Sequence, residues 1–393
     1  MQGLRDRVAV VGMGCTKFGE LWDKSSDDLL IDASLEAFAD AGIEAKQIQA
    51  AWVGTYSSFR TGVGLSYPLK LQYVPVTRVE NACATGTDAF RNACFAVAAG
   101  VYDFVLAAGV EKQKDSGYSG LVANAEVVSS ETAPMVPAPT QFALAATRYF
   151  HTFGLSFQEG KQMLARIAVK NHHNGTMSPK AHLRREITVE QAINSPMIAW
   201  PLGLFDCCGV SDGAAAAVIT SPEIAKKLKK DYALVKAVGL TCGSAQGVQQ
   251  QSFDFVHFEE TVDAAKKAYA DAGVKDPRRE ISLAQVHDCF TITEALVCED
   301  LGLADKGHYR DEQNKGAFEL TGTLPVNTDG GLKCYGHPIG ASGLRMMYEN
   351  FKQLQGKAGP RQLKNVNLAL THNLGGKPGG RFTCAVSILG RAD

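Results

Sequence analysis

The sequence has no excess of charge, no long apolar run and no paired-cysteine spacing. Lys+Arg number 40 and Asp+Glu 41, for a formal net charge of −1. That balance excludes a basic surface built for nucleic acid, and the one cationic run, Lys226 to Lys230, reads as a solvated helix end. No apolar stretch approaches the length that crosses a bilayer, so no membrane partner is expected. The polar opening Met1-Gln2-Gly3-Leu4-Arg5-Asp6-Arg7 does not read as a secretory signal. Ten cysteines occur without one Cys-x-x-Cys, and the adjacent Cys207 and Cys208 are a poor chelate, so no zinc site is expected within the chain. So many free thiols suit a reducing cytoplasm. Cys15, Cys94, Cys207, Cys208, Cys242, Cys298, Cys334 and Cys384 read as small buried apolar residues.

What is present is an ordinary globular composition that repeats itself. At 393 residues, 45% hydrophobic and 21% charged, the chain can bury the cores of two or three domains. Glu36-Ala37-Phe38-Ala39-Asp40-Ala41-Gly42-Ile43 returns as Lys267-Ala268-Tyr269-Ala270-Asp271-Ala272-Gly273-Val274. Each copy has helical apolar spacing and a glycine where a helix closes. Each follows a strand-like run (Val8–Gly12, Ala233–Val238) and precedes another (Ala50–Val53, Leu283–Val286). Two matching α/β halves are expected, with a site between them. Residues 1–111 with 202–229 form the first half and 230–393 the second. Residues 112–201 interrupt the pattern with Tyr118-Ser119-Gly120, Pro134, Pro137 and Pro139, then helical patches, and read as an inserted cap. His172 and His173 fall in it as surface or ligand-adjacent residues. Gly209–Ile219 returns to the first half as a buried strand.

Two junctions concentrate the chemistry. Asn81-Ala82-Cys83-Ala84-Thr85-Gly86 and Gly336-His337-Pro338-Ile339-Gly340-Ala341-Ser342-Gly343 each read as a tight turn of small residues opening a helix, the first from Thr87 to Ala99. The positive end of a helix lowers a thiol's pKa and discourages protonation of an imidazole. Cys83 and His337 are therefore the parts of a nucleophile that accepts an acyl group. Proline suits the first turn of a helix, where no amide hydrogen is needed. His287-Asp288-Cys289-Phe290 follows a strand, where ligand sites gather in α/β folds. Asp288 reads as a structural acceptor.

These segments, with Asn327 to Gly343 and His372-Asn373-Leu374-Gly375-Gly376, resemble the thiolases, and specifically the sterol-carrier-protein branch. The match runs through most of the chain in the family's order. It implies the duplicated five-layered α-β-α-β-α fold with a loop domain that covers the site and holds CoA. It implies that Cys83 carries the acyl group as a thioester and that His337 is its base. Better-known thiolases have Asn-Glu-Ala-Phe in place of His-Asp-Cys-Phe and an acid/base cysteine near the C-terminus, absent here. The branch places that role on Cys289, with His287 on the thioester oxygen of the enolate. Gly375 would complete an oxyanion hole with the Cys83 amide; Gly376 and Asn373 shape that loop, and Asn327 supports His337.

The resemblance implies a reversible, non-decarboxylative Claisen condensation or thiolysis of a 3-oxoacyl-CoA. Acyl-CoA and CoA are substrates, and no cofactor or metal is needed. It implies a homodimer or dimer of dimers, and in many members a small zinc-ribbon/OB-fold partner that binds acyl-CoA. The rivals are a decarboxylating ketoacyl-synthase-like enzyme, which needs no Cys289, and a non-catalytic acyl-CoA-binding scaffold, which usually lacks the nucleophile. An aldolase derived from the branch would also dispense with Cys83.

Overall fold

The computed structural model describes residues 3–116, 137–229 and 231–392; Tyr118-Ser119-Gly120 and Pro134 lie outside them. The described strands are β1 (Ala9–Cys15), β2 (Ala50–Gly54), β3 (Val76–Val79), β4 (Phe104–Glu111), β5 (Met197–Ala199), β6 (Leu202–Gly203), β7 (Gly213–Thr220), β8 (Ala233–Cys242), β9 (Leu283–Gln285), β10 (Leu368–Lys377) and β11 (Arg381–Arg391). β5 and β6 pair by themselves. The other nine form one sheet in the order β3-β2-β4-β7-β1-β8-β11-β10-β9. β7 is buried along its whole length, which is why Gly213–Thr220 shows no polar alternation.

The strand order is a mirror of the duplication. The first half runs β3-β2-β4-β7-β1 and the second β8-β11-β10-β9. Val326 adds a parallel bridge to Ala284 of β9, where β3 lies beside β2 in the first half. The echoed helices, Ser26–Ala41 and Glu259–Ala272, close on Gly42 and Gly273 at φ 71° and 73°, the left-handed cap that glycine favours. The halves do not keep separate sheets. Ala9 lies opposite Leu234 and Val10 opposite Ala233, so two edge strands satisfy each other's backbone groups.

Layering follows from which helices touch which strands. The helices Thr85–Ala98 and Ile339–Leu354 pack against both β4 and β7 of the first half and β11 of the second. They form the middle layer. Ser26–Ala41 covers β1 and β7 on one outer face, and Glu259–Ala272 covers β8 and β11 on the other. This is the α-β-α-β-α order. From the expected cap, the helix Phe157–Thr176 reaches into the body of the protein and packs on the helix Thr291–Asp300 and the short helix Gly331–Tyr335.

The middle layer is held at a backbone-to-backbone distance. A methyl group on Gly86 would lie 2.7 Å from the Gly340 carbonyl oxygen, and one on Gly109 would lie 2.1 Å from it. A methyl on Gly340 would meet the carbonyl oxygens of Gly54 and Val110 at 2.5 Å. No flexible side chain is there to give way, so Gly109→Ala should destabilise the protein by roughly 1–3 kcal/mol. Chemical denaturation of the variant measures this, and an unchanged midpoint would contradict the packing.

Candidate active site

Cys83 sits on a tight turn between β3 and the Thr85–Ala98 helix. Ala82 takes a left-handed φ of 46°. The Ala84 amide bonds the Asn81 carbonyl and the Thr85 amide the Ala82 carbonyl, both at 3.0 Å. The Thr85 hydroxyl accepts from the Asn81 amide at 2.8 Å and donates to the Ala82 carbonyl at 2.5 Å. The helix therefore begins two residues before the Thr87 read from the sequence. Burial pushes the Cys83 thiol up to about 12, against the lowering by its own backbone amide, and Glu80 raises it further. This corrects the expectation of a thiol acidified by the helix end: desolvation of the thiolate outweighs it. At rest Cys83 is protonated and needs a base.

His337 is oriented as that base. Its Nδ1 lies 2.7 Å from the Ser342 hydroxyl, which donates its hydrogen to the Pro338 carbonyl at 2.9 Å. Ser342 can therefore only accept from the ring, which puts the proton on Nδ1 and the lone pair on Nε2. The Nε2 atom is buried and has no hydrogen-bond partner among the described residues. Burial, then the Arg345 guanidinium, lowers His337 to about 3, so the ring is neutral as expected. Pro338 caps the Ile339–Leu354 helix rather than occupying its first turn.

The second pair follows β9. Asn327, at φ 54°, accepts from the Val286 amide and donates its own amide to the Ala284 carbonyl, both at 2.9 Å. It thereby fixes the entry to His287. Asp288 turns away and accepts from the Leu332 amide at 2.6 Å, the Lys333 amide at 3.1 Å and Asn171 at 3.0 Å. It is a structural acceptor, pushed up to about 7 by burial and then by Glu294. His287 lies edge to face with His337 at 5.1 Å between ring centres. Burial, with His337 and His372 next, holds it well below the usual imidazole range. Cys289 is buried, 3.7 Å from the Thr293 hydroxyl, and burial pushes its thiol well up.

Cys83, His287, Cys289, Gly375 and Gly376 line one cavity of about 290 Å³. The Cys83 sulfur and one ring nitrogen each of His287 and His337 lie within 4.8 Å of one another. A methyl on Gly375 would sit 2.5 Å from the Cys83 amide nitrogen, so β10 needs glycine to reach the nucleophile's turn. Asn373 lies behind the cavity and accepts from the Thr87 hydroxyl at 2.5 Å. Neither His172 nor His173 reaches the site. His172 is buried against the Arg185 carbonyl at 2.9 Å, and His173 pairs with Glu186 at 2.8 Å on the surface. The sulfur and two imidazoles are also a donor set that zinc accepts; they come from segments too distant in sequence for any spacing to reveal.

Sequence reasoning missed several residues around the site. Glu111, fully buried at the end of β4, accepts from the amides of Tyr56, Ser57, Ser58 and Gly340. It holds both the loop that brings Tyr56 to the cavity and the start of the His337 helix. Lys170 and Asn171 of the insertion bond Glu294 at 2.7 and 2.8 Å, and Glu294 bonds Asn327 at 2.8 Å. Cys208, read as packing, donates its amide to the Cys289 carbonyl at 2.9 Å. The Val-Glu-Lys ending of β4 was a visible signal for Glu111, since a buried strand that ends on a carboxylate needs partners.

Comparison with known proteins gives the family. The family described as "Thiolase, N-terminal domain" matches residues 8–223, and "Thiolase C-terminal domain-like" matches 242–391. The chain belongs to the thiolase family. It is 38% identical to an acetyl-CoA acetyltransferase of Methanothermobacter thermautotrophicus, over 99% of this chain and 100% of that one. It is 32% identical to sterol carrier protein 2 of Gallus gallus, over 95% of this chain and 70% of that one. Among solved structures, the Ltp2-ChsH2(DUF35) aldolase superposes with a TM-score of 0.85 at 26% identity, covering 99% of this chain and 98% of that one.

The neutral histidines predict acid lability. Burial lowers His337 and His372 to about 3 and His172 to about 4, and His287 falls with them. Unfolded imidazoles titrate near pH ~6.5. Below that pH the unfolded chain binds more protons than the folded one, so stability is full above it and falls as pH drops toward the folded values. Asp288, raised to about 7, opposes this as one group. The melting temperature should fall steadily from pH ~6.5 to ~4. A flat profile across that window would show that these rings are charged in the folded protein.

Proposed function

We propose that this chain is a CoA-dependent thiolase that moves an acyl group through a thioester on Cys83 and makes or breaks the carbon–carbon bond of a 3-oxoacyl-CoA. One observation carries the reading: Cys83, His287 and His337 converge within 4.8 Å of one another, and Cys83 and His287 share a cavity with Cys289. In synthesis, His337 Nε2 takes the Cys83 proton as sulfur attacks the acyl-CoA carbonyl. Thiolate and imidazolium arise together, so their attraction in a water-poor site offsets the cost of each charge. Cys289 gives its proton to the departing CoA sulfur and becomes the thiolate that removes the α-proton of the second acyl-CoA. His287 and protonated His337 hold the enolate oxygen. The enolate attacks the Cys83 thioester, and the released Cys83 sulfur recovers its proton from His337. Thiolysis runs the same steps backward. No step calls on a metal or redox cofactor.

Acetyl transfer is the activity named for the Methanothermobacter relative, which supports a short acyl group here. A second reading comes from the 0.85 TM-score to an aldolase. Carbon–carbon cleavage of that kind needs a proton carrier and an oxyanion site but no acyl carrier. The retained Cys83, with a base facing it, favours the thiolase.

We also propose a homodimer formed through the nucleophile-bearing half, in the cytoplasm. β3, which leads into the Cys83 turn, is a sheet edge, and Tyr67 and Tyr73 before it are 75% and 94% exposed. An open edge flanked by apolar side chains suits pairing with a second copy. Among the described residues no helix is long and apolar enough to cross a membrane. The DUF35 component of the aldolase complex supports a small acyl-CoA-binding partner, with any structural zinc carried by that partner.

Two measurements separate these roles. Cys289→Ala should still acquire an acyl mass on the Cys83 peptide, more slowly because water must then protonate the departing CoA sulfur, yet lose α-proton exchange in deuterated water and condensation by about 10²-fold or more. Wild-type exchange would remove Cys289 from the mechanism. Cys83→Ala should lose both acylation and thiolysis; retained carbon–carbon cleavage without an acyl-enzyme would favour the aldolase reading. Light scattering should give a dimer mass, and a fully active monomer would refute that assembly.

A further inference from the structure

A third thiol lies beside Cys289, on a segment behind the cavity lining. Cys207 and Phe290 form an antiparallel bridge, and the Cys208 amide donates to the Cys289 carbonyl at 2.9 Å. In that register Cys208 stands directly opposite Cys289. Facing residues of an antiparallel pair hold their Cα atoms about 4.5–5.5 Å apart, within the roughly 4.4–6.8 Å that a disulfide spans. Their side chains leave the same face of the pair. Cys83 is close enough to both thiols to raise them further. Cys289 is open to oxidants through the cavity it lines, and Cys208 is partly exposed. All ten cysteines are free thiols in this structure.

We propose that Cys208 and Cys289 are a modification site, forming a reversible disulfide that withdraws the acid/base thiol from the reaction. The effect on activity rests on the role given above to Cys289; the bond itself does not. A hydroperoxide entering the cavity transfers oxygen to the Cys289 sulfur, giving a sulfenic acid and water when the oxidant is hydrogen peroxide. The Cys208 sulfur then attacks that sulfur, the S–S bond forms, and the hydroxyl leaves as a second water with the Cys208 proton. Two thiols are oxidised by two electrons and one peroxide is reduced. A dithiol reverses the bond by exchange. Burial raises both thiols, so few thiolates are present and the pair responds to sustained oxidant. Cys208 also guards Cys289: captured as a disulfide, the sulfenic acid does not proceed to irreversible sulfinic acid.

The test uses the full chain. Protein is exposed to increasing hydrogen peroxide, free thiols are capped with N-ethylmaleimide, and peptides are mapped by mass spectrometry without reduction. A Cys208–Cys289 linked peptide should rise in step with loss of thiolysis, and dithiothreitol should return both to their starting values. Activity loss with Cys208 still capped as a free thiol, or a Cys83–Cys289 link instead, would overturn the proposal. Reduced Cys208→Ala should work near the wild-type rate, but at peroxide doses that wild type survives reversibly its Cys289 should pass from sulfenic to sulfinic acid with a second peroxide, beyond recovery by dithiothreitol. Inactivation that remains fully reversible in the variant would also overturn it. Cys208→Ser substitutes if the alanine variant does not fold, and the wild-type map needs no variant. If Cys289→Ala proves fully active, the catalytic reading fails while the linked peptide still forms; if the peptide is absent and Cys289→Ala is inactive, only the disulfide fails.

Discussion

Two helices touch at their beginnings through bare backbone, and the site exists because of that contact. Cys83 and His337 come from different halves of the duplicated chain, each just before a helix of the middle layer. The distance between them is set where the helices cross, at Gly86 and Gly340, with Gly109 and Gly54 of the first sheet beneath. A single added methyl would force apart the nucleophile and its base. Close packing here is a catalytic requirement as well as a source of stability.

Around that contact the protein buries charge and pairs it. Arg345 and Asp329 are fully buried and bonded at 2.7 Å, and the guanidinium lies 4.6 Å over the Tyr335 ring. Glu294 gathers Lys170, Asn171, Tyr309 and Asn327. Networks of this kind add little net stability, and breaking one partner is costly, roughly 3–5 kcal/mol for a buried ion pair. What they fix is orientation: Asn327 sets the strand end that carries His287, and Glu294 sets Asn327. The inserted segment takes part directly, since Lys170 and Asn171 belong to it. A region expected to cover the site and hold CoA thus also takes part in the network that fixes Asn327.

The residues legible in the sequence were those whose local pattern and chemistry coincide. Cys83 and His337 stand in runs of small residues at helix starts, and the echoed helices end on glycines that the structure holds left-handed. Less legible was anything set by burial or by distant partners. A helix end argues for an acidic thiol at Cys83, but desolvation, invisible in the sequence, is larger and reverses the sign. Cys208 looked like filler because its neighbour Cys207 suggested a poor chelate, whereas its partner is Cys289, far along the chain. The joining of β1 to β8 through two residue pairs left no trace, because an edge strand that pairs and one that does not read alike.

Glu111 sets an order on the making of the molecule. Its carboxylate draws on donors close by in the chain, at Tyr56 to Ser58, and on one far ahead, the Gly340 amide. A ribosome releases the chain from the N-terminus, so the first half emerges with a carboxylate lacking its last donor and a sheet face awaiting the Ile339–Leu354 helix. That half can collapse early, but it cannot close its inner face until most of the chain has been synthesised. Contacts of such long sequence separation are slow to form. The nascent protein therefore carries Cys83 on an unfinished scaffold, without its base, until the second half arrives.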